Sequence, residues 1–259
     1  MKISSKGSSQ PRGLLGKINS AFYFKPFKNE GAWAAFSVKK ENFSFRHGKH
    51  SQVIISRRNF LNSLGLDYRD LVCLKQIHSS NVVYADVKAC GRGADSYDSS
   101  LARADAVFTD KKNLAIAIFI ADCLAVYFFD FKKKIIGLAH AGWRPSAAKV
   151  SIKLIKALKA RFNSKPSDLL VGFSPRIDSC CYEIGPDVAK FFKHSVIKRQ
   201  GKLFLDLIKE NKRQILSQGV KENNIFDSQI CTSCENDRFF SFRKDGQKAG
   251  RTMAVMALL

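Results

Sequence analysis

A chain of 259 residues with 45% hydrophobic side chains has room for one large domain or two small ones, with a substantial core. The formal net charge of +22 is spread along the chain without a recognisable nucleic-acid-binding module. We therefore attribute it to solubility, expect no nucleic-acid partner, and expect it to attract small anionic substrates. No apolar stretch spans a membrane and the seven cysteines are irregularly spaced, so we expect a reduced, cytoplasmic protein without a membrane partner.

The N-terminal quarter of the chain combines a polar lead-in with one strand and one helix. Residues 1–20 are rich in Ser, Gly and Lys, which predicts a flexible basic segment ahead of a single domain at 21–259. The apolar run 32–38 predicts a strand. Apolar side chains recur at helical spacing over 51–64, which predicts a helix whose start Ser51 caps.

Short apolar segments bounded by turn or charged residues dominate the middle of the chain and predict strands. They are residues 71–77, 81–87, 104–108, 114–120, 124–129 and 135–139. Segments 114–120 and 135–139 lack polar alternation, which predicts strands that are covered on both faces.

Helices and strands alternate in the remainder of the chain. Helices are predicted at 146–162, from Pro186 onward and at 206–218, and short strands at 169–173, 224–230 and 238–242. No internal repeat or linker is visible. We therefore expect an α+β fold, a single-domain layered sandwich of mixed β-sheets flanked by helices.

Three of the apolar segments end close to a residue that a soft metal ion prefers. These residues are His78, Cys123 and His140, in a chain with five His and seven Cys. Strand ends hold side chains on a rigid rim, and two imidazoles with one thiolate and an open fourth position are a known ligand set for catalytic zinc. The ordinary interpretation, a hydrogen-bonded His and a small core Cys, stays open for each residue alone.

The segment after His140 adds groups that suit an anionic or aromatic ligand. Gly142 allows close backbone approach, and Arg144 offers a guanidinium fork for phosphate or carboxylate. Trp143 has a ring that can stack on a base, although a buried Trp is the simpler interpretation.

Four further cysteines form two pairs, Cys180 with Cys181 and Cys231 with Cys234. Together they would suffice for a closed zinc site. The spacing of two CxxC motifs is absent, however, and adjacent cysteines rarely bind one ion. We expect ordinary buried thiols here.

Eight short motifs occur in an order that resembles one known family. They are Lys75-Gln76-Ile77-His78, residues 104–110, Ala121-Asp122-Cys123, residues 140–144, residues 180–185, Cys231-Thr232, residues 240–243 and Gly250-Arg251. Across about residues 30 to 259, the chain resembles the bacterial laccase-domain family. That family was first labelled multicopper polyphenol oxidase and is now regarded as zinc-dependent purine nucleoside phosphorylases.

The resemblance implies a metal site, an activity and a fold. It implies that His78, Cys123 and His140 hold a catalytic Zn²⁺, with copper as a possible occupant of the same site. It implies phosphorolysis of adenosine, inosine, guanosine and S-methyl-5′-thioadenosine, so that the partners are purine nucleosides and phosphate, and it implies adenosine deamination. It also implies a monomer. Pro145 and Ala121 depart from the family pattern, which bears on the shape of the pocket.

Further site residues are hypotheses that combine the resemblance with the requirements of the chemistry. We expect Arg57, Arg144 and Arg251 to hold phosphate and Gln76 to contact the substrate. Asp122 is beside a metal ligand and is either a proton carrier or a group that orients its neighbour; with Cys123 it forms the predicted catalytic pair.

Three other functions compete with this interpretation. A copper polyphenol oxidase of the multicopper type needs many more His than the five available. A metal-free hydrolase would use Cys123 as nucleophile and His140 as base, but leaves His78 without a role. A nucleic-acid-binding protein without activity would show binding that weakens steeply with salt.

Overall fold

The computed structural model describes residues 13–259, which form fifteen strands and seven α-helices. The strands are β1 Leu15–Ile18, β2 Ala21–Phe24, β3 Ala32–Ser37, β4 Leu71–Cys73, β5 Val82–Tyr84, β6 Ala106–Thr109, β7 Ala115–Ile120, β8 Leu124–Asp130, β9 Ile135–Ala141, β10 Leu169–Phe173, β11 Glu183–Ile184, β12 Val196–Arg199, β13 Lys202–Leu205, β14 Ile225–Asp227 and β15 Thr252–Leu258. The α-helices are α1 Lys25–Asn29, α2 His50–Ser63, α3 Trp143–Ala147, α4 Val150–Phe162, α5 Pro186–Ala189, α6 Leu207–Leu216 and α7 Phe242–Asp245. Over the described residues, no helix has the length and apolar character needed to cross a membrane.

Two six-stranded mixed sheets carry the fold. The first has the order β1-β2-β3-β15-β7-β4, in which β4 runs parallel to β7 and the other pairs are antiparallel. The second has the order β14-β10-β8-β9-β6-β5, with parallel pairing at both edges and antiparallel pairing in the centre. A small third sheet has the order β11-β13-β12.

The two large sheets pack face to face, and helices cover their outer faces. Phe36 of the first sheet and Tyr127 of the second lie in the shared central core. Phe60 of α2 packs on the outer face of the first sheet, while Leu154 of α4 and Ile215 of α6 pack on the second. The expected layered sandwich flanked by helices is therefore confirmed, and β7 and β9 are buried on both faces as predicted.

The predicted flexible segment 1–20 extends too far toward the C-terminus. Leu15–Ile18 forms β1, which pairs antiparallel with β2 and is part of the first sheet. Leu14 and Leu15 pack against the central core, so apolar burial orders these residues in spite of their Gly and Lys neighbours. Residues 1–12 of that prediction lie outside the described part of the chain.

The helix predicted at 146–162 is two helices, α3 and α4. The chain turns between them at Lys149, whose backbone is left-handed with φ of 60°. The carbonyl of Ser146 accepts a hydrogen bond of 2.9 Å from the Gln214 side chain of α6. A tertiary contact thus uses a backbone group that a continuous helix would bond internally.

The C-terminal strand assignment needs correction. The strand predicted at 238–242 is absent; instead Ser241 caps α7 by accepting a bond from the Lys244 amide. The sequence analysis assigns no strand to β15, which nevertheless lies between β3 and β7 with both faces buried. Its Ala- and Met-rich sequence has weak intrinsic strand propensity, and its position between two long strands determines its structure.

Candidate metal centre

Strand ends of both large sheets bring His78, Cys123 and His140 together. His78 lies in the loop after β4, Cys123 lies in the turn between β7 and β8, and His140 is the second-last residue of β9. Their ligand atoms all lie within 4.8 Å of one another, and the two imidazole centroids are 4.9 Å apart. The structure therefore gathers the three residues that the sequence pattern indicates.

Gly142 leaves the space that the Cys123 sulfur occupies. Strands β8 and β9 pair with Leu124 opposite Ala141, which places Cys123 beside Gly142. A Cβ atom at Gly142 would lie 2.7 Å from Cys123 Sγ. The φ of this glycine is −69°, which suits any residue, so the requirement here is for space and not for an unusual backbone conformation.

Asp105 is a site residue that the sequence analysis quotes within a motif but to which it assigns no role. It is fully buried, and its Oδ1 lies 2.8 Å from His140 Nδ1. Because a carboxylate accepts hydrogen bonds, Nδ1 carries the proton and Nε2 remains as the ligand atom. A carboxylate in this position fixes the ring orientation and raises the basicity of a metal-binding imidazole.

The same carboxylate also holds the loop of His78. The backbone amide of His78 donates to Asp105 Oδ1 at 3.0 Å, and the amide of Ser79 donates to Oδ2 at 2.6 Å. His78 has φ of 58°, a left-handed conformation that costs free energy for a non-glycine residue. These bonds offset that cost. A buried acid in the apolar segment 104–108 was the signal available in the sequence.

The thiol of Cys123 and the imidazole of His140 shift each other's pKa. Burial by itself raises the pKa of Cys123, but the charge of His140 and hydrogen bonds from both imidazoles outweigh it and lower this pKa to about 6. Burial lowers the pKa of His140, but the Cys123 thiolate and Asp105 outweigh it and raise this pKa to about 9. In the metal-free protein the two groups therefore form a thiolate–imidazolium pair near neutral pH.

The donor set fits a borderline or soft divalent cation. Two imidazole nitrogens and one thiolate sulfur within 4.8 Å of one another can meet at a tetrahedral ion with bonds of about 2.0 to 2.3 Å. Blue-copper sites usually add an axial Met. Met253 and Met256 are instead packed in the core on β15.

A cavity of about 440 Å³ opens beside His78, Cys123 and His140. All the other residues predicted for the site line it: Arg57, Gln76, Asp122, Arg144 and Arg251. Aromatic side chains complete the wall, among them Phe45, Phe119, Trp143 and Tyr182. The cavity thus combines a cluster of potential metal ligands with cationic groups and ring faces.

Arg57 and Gln76 are tied to the backbone around the cavity. Arg57 is 2% exposed, and its guanidinium donates to the carbonyls of Phe43, Gly93 and Ala94. The amide of Gln76 donates to the Phe119 carbonyl at 3.0 Å and accepts from the Phe119 amide at 2.8 Å. Both side chains therefore fix the shape of the wall.

Arg144 and Arg251 differ in how many hydrogen bonds their guanidinium groups make within the protein. Arg251 is half-buried, and its Nη1 donates to the carbonyls of Ala249 and Gly250. Arg144 is exposed, and its guanidinium lies over the Trp143 ring at 4.2 Å. Within the described residues this guanidinium makes no hydrogen bond or ion pair. The guanidinium of Arg144 is therefore more available to an anion than that of Arg251.

Asp122 joins three segments of the chain. Its Oδ1 accepts a hydrogen bond of 2.6 Å from the Thr232 hydroxyl, and its Oδ2 accepts one of 2.6 Å from the Arg243 backbone amide. Its backbone has φ of 77°, again left-handed. Both carboxylate oxygens are therefore engaged in holding the turn that carries Cys123.

Tyr182 and Arg243 also line the cavity, although neither is among the substrate-binding residues predicted from the sequence. The Arg243 guanidinium lies 5.5 Å from the centre of the Tyr182 ring and donates to the Glu183 carbonyl at 2.9 Å. Burial, and after it the nearby Cys123 thiolate, raises the pKa of Tyr182 above its usual value. Tyr182 is therefore a neutral hydrogen-bonding group beside the centre.

Comparisons with known proteins show what this chain is similar to. The chain is 30% identical over 215 residues to purine nucleoside phosphorylase YlmD of Geobacillus stearothermophilus, covering 80% of this chain and 78% of that one. It is 29% identical over 210 residues to adenosine deaminase RL5 of an unknown prokaryotic organism, covering 78% and 80%. The crystal structure of the hypothetical protein YfiH from Bacillus licheniformis superposes with a TM-score of 0.91 at 27% identity, covering 96% of this chain and all of that one.

A family model described as multi-copper polyphenol oxidoreductase laccase matches residues 27–259. The matched range includes His78, Cys123 and His140 and each of the other residues predicted for the site. The chain therefore belongs to this laccase-like family.

Proposed function

We propose that this protein is a zinc-dependent purine nucleoside phosphorylase that also deaminates adenosine. Its substrates would be adenosine, inosine, guanosine and S-methyl-5′-thioadenosine, together with phosphate. The observation that carries the proposal is the meeting of His78, Cys123 and His140 beside a cavity with arginines and ring faces. The names of relatives, purine nucleoside phosphorylase and adenosine deaminase, support the same choice.

The proposed metal ligands are His140 Nε2, the Cys123 thiolate and a ring nitrogen of His78. A zinc ion held there would supply Lewis-acid polarisation of a substrate oxygen or a lowered pKa for water. Copper would use the same three donors. Since the chain has five His in all and two of them belong to this cluster, the donor set suits one ion better than a multicopper centre.

Phosphorolysis joins a phosphate oxygen to C1′ of the ribose while the bond from C1′ to the purine nitrogen breaks. The purine leaves with the electron pair of that bond and gains a proton. We propose that Arg144 is the main residue that binds phosphate directly. Arg251 and the wall residue Arg57 would stabilise the bound phosphate through their positive charge. Trp143, Phe45 and Tyr182 line the same cavity and give it aromatic surface that suits a purine.

Asp122 is better placed to position Cys123 than to carry a proton. Both of its oxygens already accept short hydrogen bonds, from Thr232 and from the Arg243 amide. A proton carrier would have to release one of these bonds in each turnover. We therefore propose that Asp122 orients the ligand turn, while proton transfer by Asp122 is the alternative that its variants test.

A metal-free Cys–His hydrolase is the second candidate. The observation that favours it is the thiolate–imidazolium pair of Cys123 and His140, which is the state of an activated thiol nucleophile. His78 distinguishes the two candidate functions. A hydrolase that uses only a Cys nucleophile and a His base does not need the ring nitrogen of His78, which lies within 4.8 Å of the other two ligand atoms. The metal-dependent function is therefore preferred.

The decisive experiment is incubation with adenosine and phosphate, with chromatographic detection of adenine, inosine and hypoxanthine. We expect adenine from phosphorolysis and inosine from deamination, and loss of both after chelation or in Cys123→Ala. Full activity in chelator would instead support the thiol hydrolase. Oxidation of phenols by copper-loaded protein would support the oxidase. Absence of product from every purine nucleoside would contradict the proposal.

We further propose that the enzyme works as a cytoplasmic monomer. Each metal ligand and each cavity residue named above comes from one chain, so the site needs no contribution from a second copy. Light scattering of the purified protein tests the monomer directly: a stable dimer would contradict it.

A further inference from the structure

Four cysteines form a second cluster outside the candidate metal centre. Cys180 and Cys181 lie between β10 and β11, whereas Cys231 and Cys234 lie between β14 and α7. The expectation of ordinary buried thiols is wrong for Cys180 and Cys234, which are exposed. We propose that this four-cysteine cluster binds a second zinc ion, as a closed structural site that fastens two loops of the cavity wall.

The distances between the sulfur atoms match those around a tetrahedral ion. Cys180 Sγ lies 3.7 Å from Cys181 Sγ and 3.6 Å from Cys234 Sγ, and Cys181 Sγ lies 3.4 Å from Cys234 Sγ. All four sulfurs, that of Cys231 included, lie within 4.8 Å of one another. Zn–S bonds of about 2.3 Å in a tetrahedron place sulfur atoms about 3.8 Å apart. The neighbouring cysteines thus both face one centre.

Groups with full or partial positive charge lie around the four sulfur atoms. The Asp178 amide donates to Cys231 Sγ at 3.4 Å, a type of bond that strengthens as sulfur becomes negative. Arg199 donates to the carbonyl of Ser179, and Arg243 donates to the carbonyl of Cys181. Their guanidinium groups place positive charge beside a site that would carry net negative charge with four thiolates.

The location of the four-cysteine cluster indicates what a bound ion would stabilise. Cys181 precedes the cavity residue Tyr182, and Cys231 precedes Thr232, whose hydroxyl holds Asp122. An ion bound by both loops would fix these two neighbours relative to each other. Because four protein ligands fill a tetrahedral ion, the site has no open position for substrate, and its role is structural.

Metal analysis of protein purified without added ions tests the proposal together with matched variants. We expect about two equivalents of zinc in the wild type and about one in Cys123→Ser, which removes only the catalytic ion. The double variant C181S/C234S should lose the other ion. Cys90→Ser is the control, because Cys90 is also exposed but lies outside both clusters, and it should keep both ions.

X-ray absorption on Cys123→Ser keeps the proposal testable even if the double variant fails to fold. Four sulfur neighbours at about 2.3 Å would support the site. A mixed nitrogen and sulfur shell would overturn it, as would a wild type whose single ion is lost in Cys123→Ser. A disulfide between Cys181 and Cys234, found by mass spectrometry of the freshly purified protein, would also overturn it. None of these readouts depends on the nucleoside activity.

Discussion

Asp105 is the residue whose single side chain supports two of the three proposed metal ligands. It accepts from His140 Nδ1 and from the backbone amides around His78. Asp105→Asn keeps the volume of the side chain but replaces one acceptor oxygen with an NH2 group, which would face an N–H donor. We expect zinc affinity to fall about 10- to 100-fold, because the imidazole loses its orientation and basicity. The measurement is the free zinc concentration that restores half of the phosphorolysis activity to metal-free protein.

Asp110→Asn is the matched control for this substitution. Asp110 lies in the same sequence motif but bonds to Tyr84 and Lys111, away from the centre. Its variant should need the same zinc concentration as the wild type. An Asp105→Asn protein that also behaves like the wild type would show that the carboxylate does not position the ligands.

The paired titration of Cys123 and His140 predicts how metal affinity depends on pH. Burial opposes both charges, but mutual attraction and hydrogen bonds hold the Cys123 pKa at about 6 and the His140 pKa at about 9. Between these values the thiolate is present and zinc must displace a proton from His140. Affinity should therefore rise about tenfold per pH unit in this window, and more steeply below pH 6, where Cys123 is protonated too.

The measurement is the half-activating zinc concentration at a series of pH values, each normalised to the maximal activity at that pH. The slope should decrease above pH about 9, where His140 is already neutral. An affinity that stays constant from pH 6.5 to 8.5 would mean that His140 does not have to lose a proton to bind the ion.

The Asp122 carboxylate connects the turn that carries Cys123 to neighbouring segments of the chain, and these contacts position Cys123. Asp122 ties the turn between β7 and β8 to Thr232 and to the start of α7 through Arg243. Asp122→Asn can keep both contacts, with its oxygen on the Arg243 amide and its NH2 group on the Thr232 hydroxyl. We therefore expect kcat to fall less than about tenfold, whereas loss of a proton carrier costs about 10²- to 10⁴-fold.

Asp122→Ala tests whether the hydrogen bonds of Asp122 position Cys123 or have no effect on the site. It removes both contacts, so we expect a larger loss of kcat than in Asp122→Asn and a lower zinc affinity, with the pH profile of kcat unchanged in shape. Steady-state kinetics across pH on both variants gives the comparison. If one limb of the profile disappears in Asp122→Asn, the carboxylate transfers protons.

The sequence predicts elements well where one local signal dominates. Strand 169–173 agrees with the structure, and Asp206 caps α6 as a short side-chain acceptor does. The break between α3 and α4 depends on Gln214 of another helix, and β15 depends on its two neighbours. Such tertiary contacts are not visible in a window of ten residues.

The three proposed ligands could be identified from their position after apolar segments, and Asp122 from its place beside Cys123, but the role of Asp105 could not. Whether Asp105 faces His140 or solvent depends on the pairing of β6 with β9, which brings residues 35 positions apart into contact. The four-cysteine cluster likewise depends on two loops more than 50 residues apart. Long-range pairing of this kind follows from the fold and not from spacing.

At the scale of the whole molecule, the proposed metal centre joins the two large sheets. His78 follows a strand of the first sheet, His140 ends a strand of the second, and Cys123 lies in the connection between them. The core packed between the sheets supports the strand ends that carry these three positions. We infer that the protein folds before it binds the metal and that ion binding adds stability by mass action.

The net charge of +22 is a property of the whole chain that bears on phosphate, the proposed second substrate. A positive potential raises the local concentration of phosphate near the cavity, and salt screens it over about 8 Å at physiological ionic strength. Raising the ionic strength from about 0.02 M to about 0.2 M should therefore increase the KM for phosphate severalfold and leave kcat nearly unchanged. Adenosine is neutral, so its KM is the internal control in the same assays. Equal effects on the two KM values would show that the excess charge does not serve substrate binding and acts only on solubility.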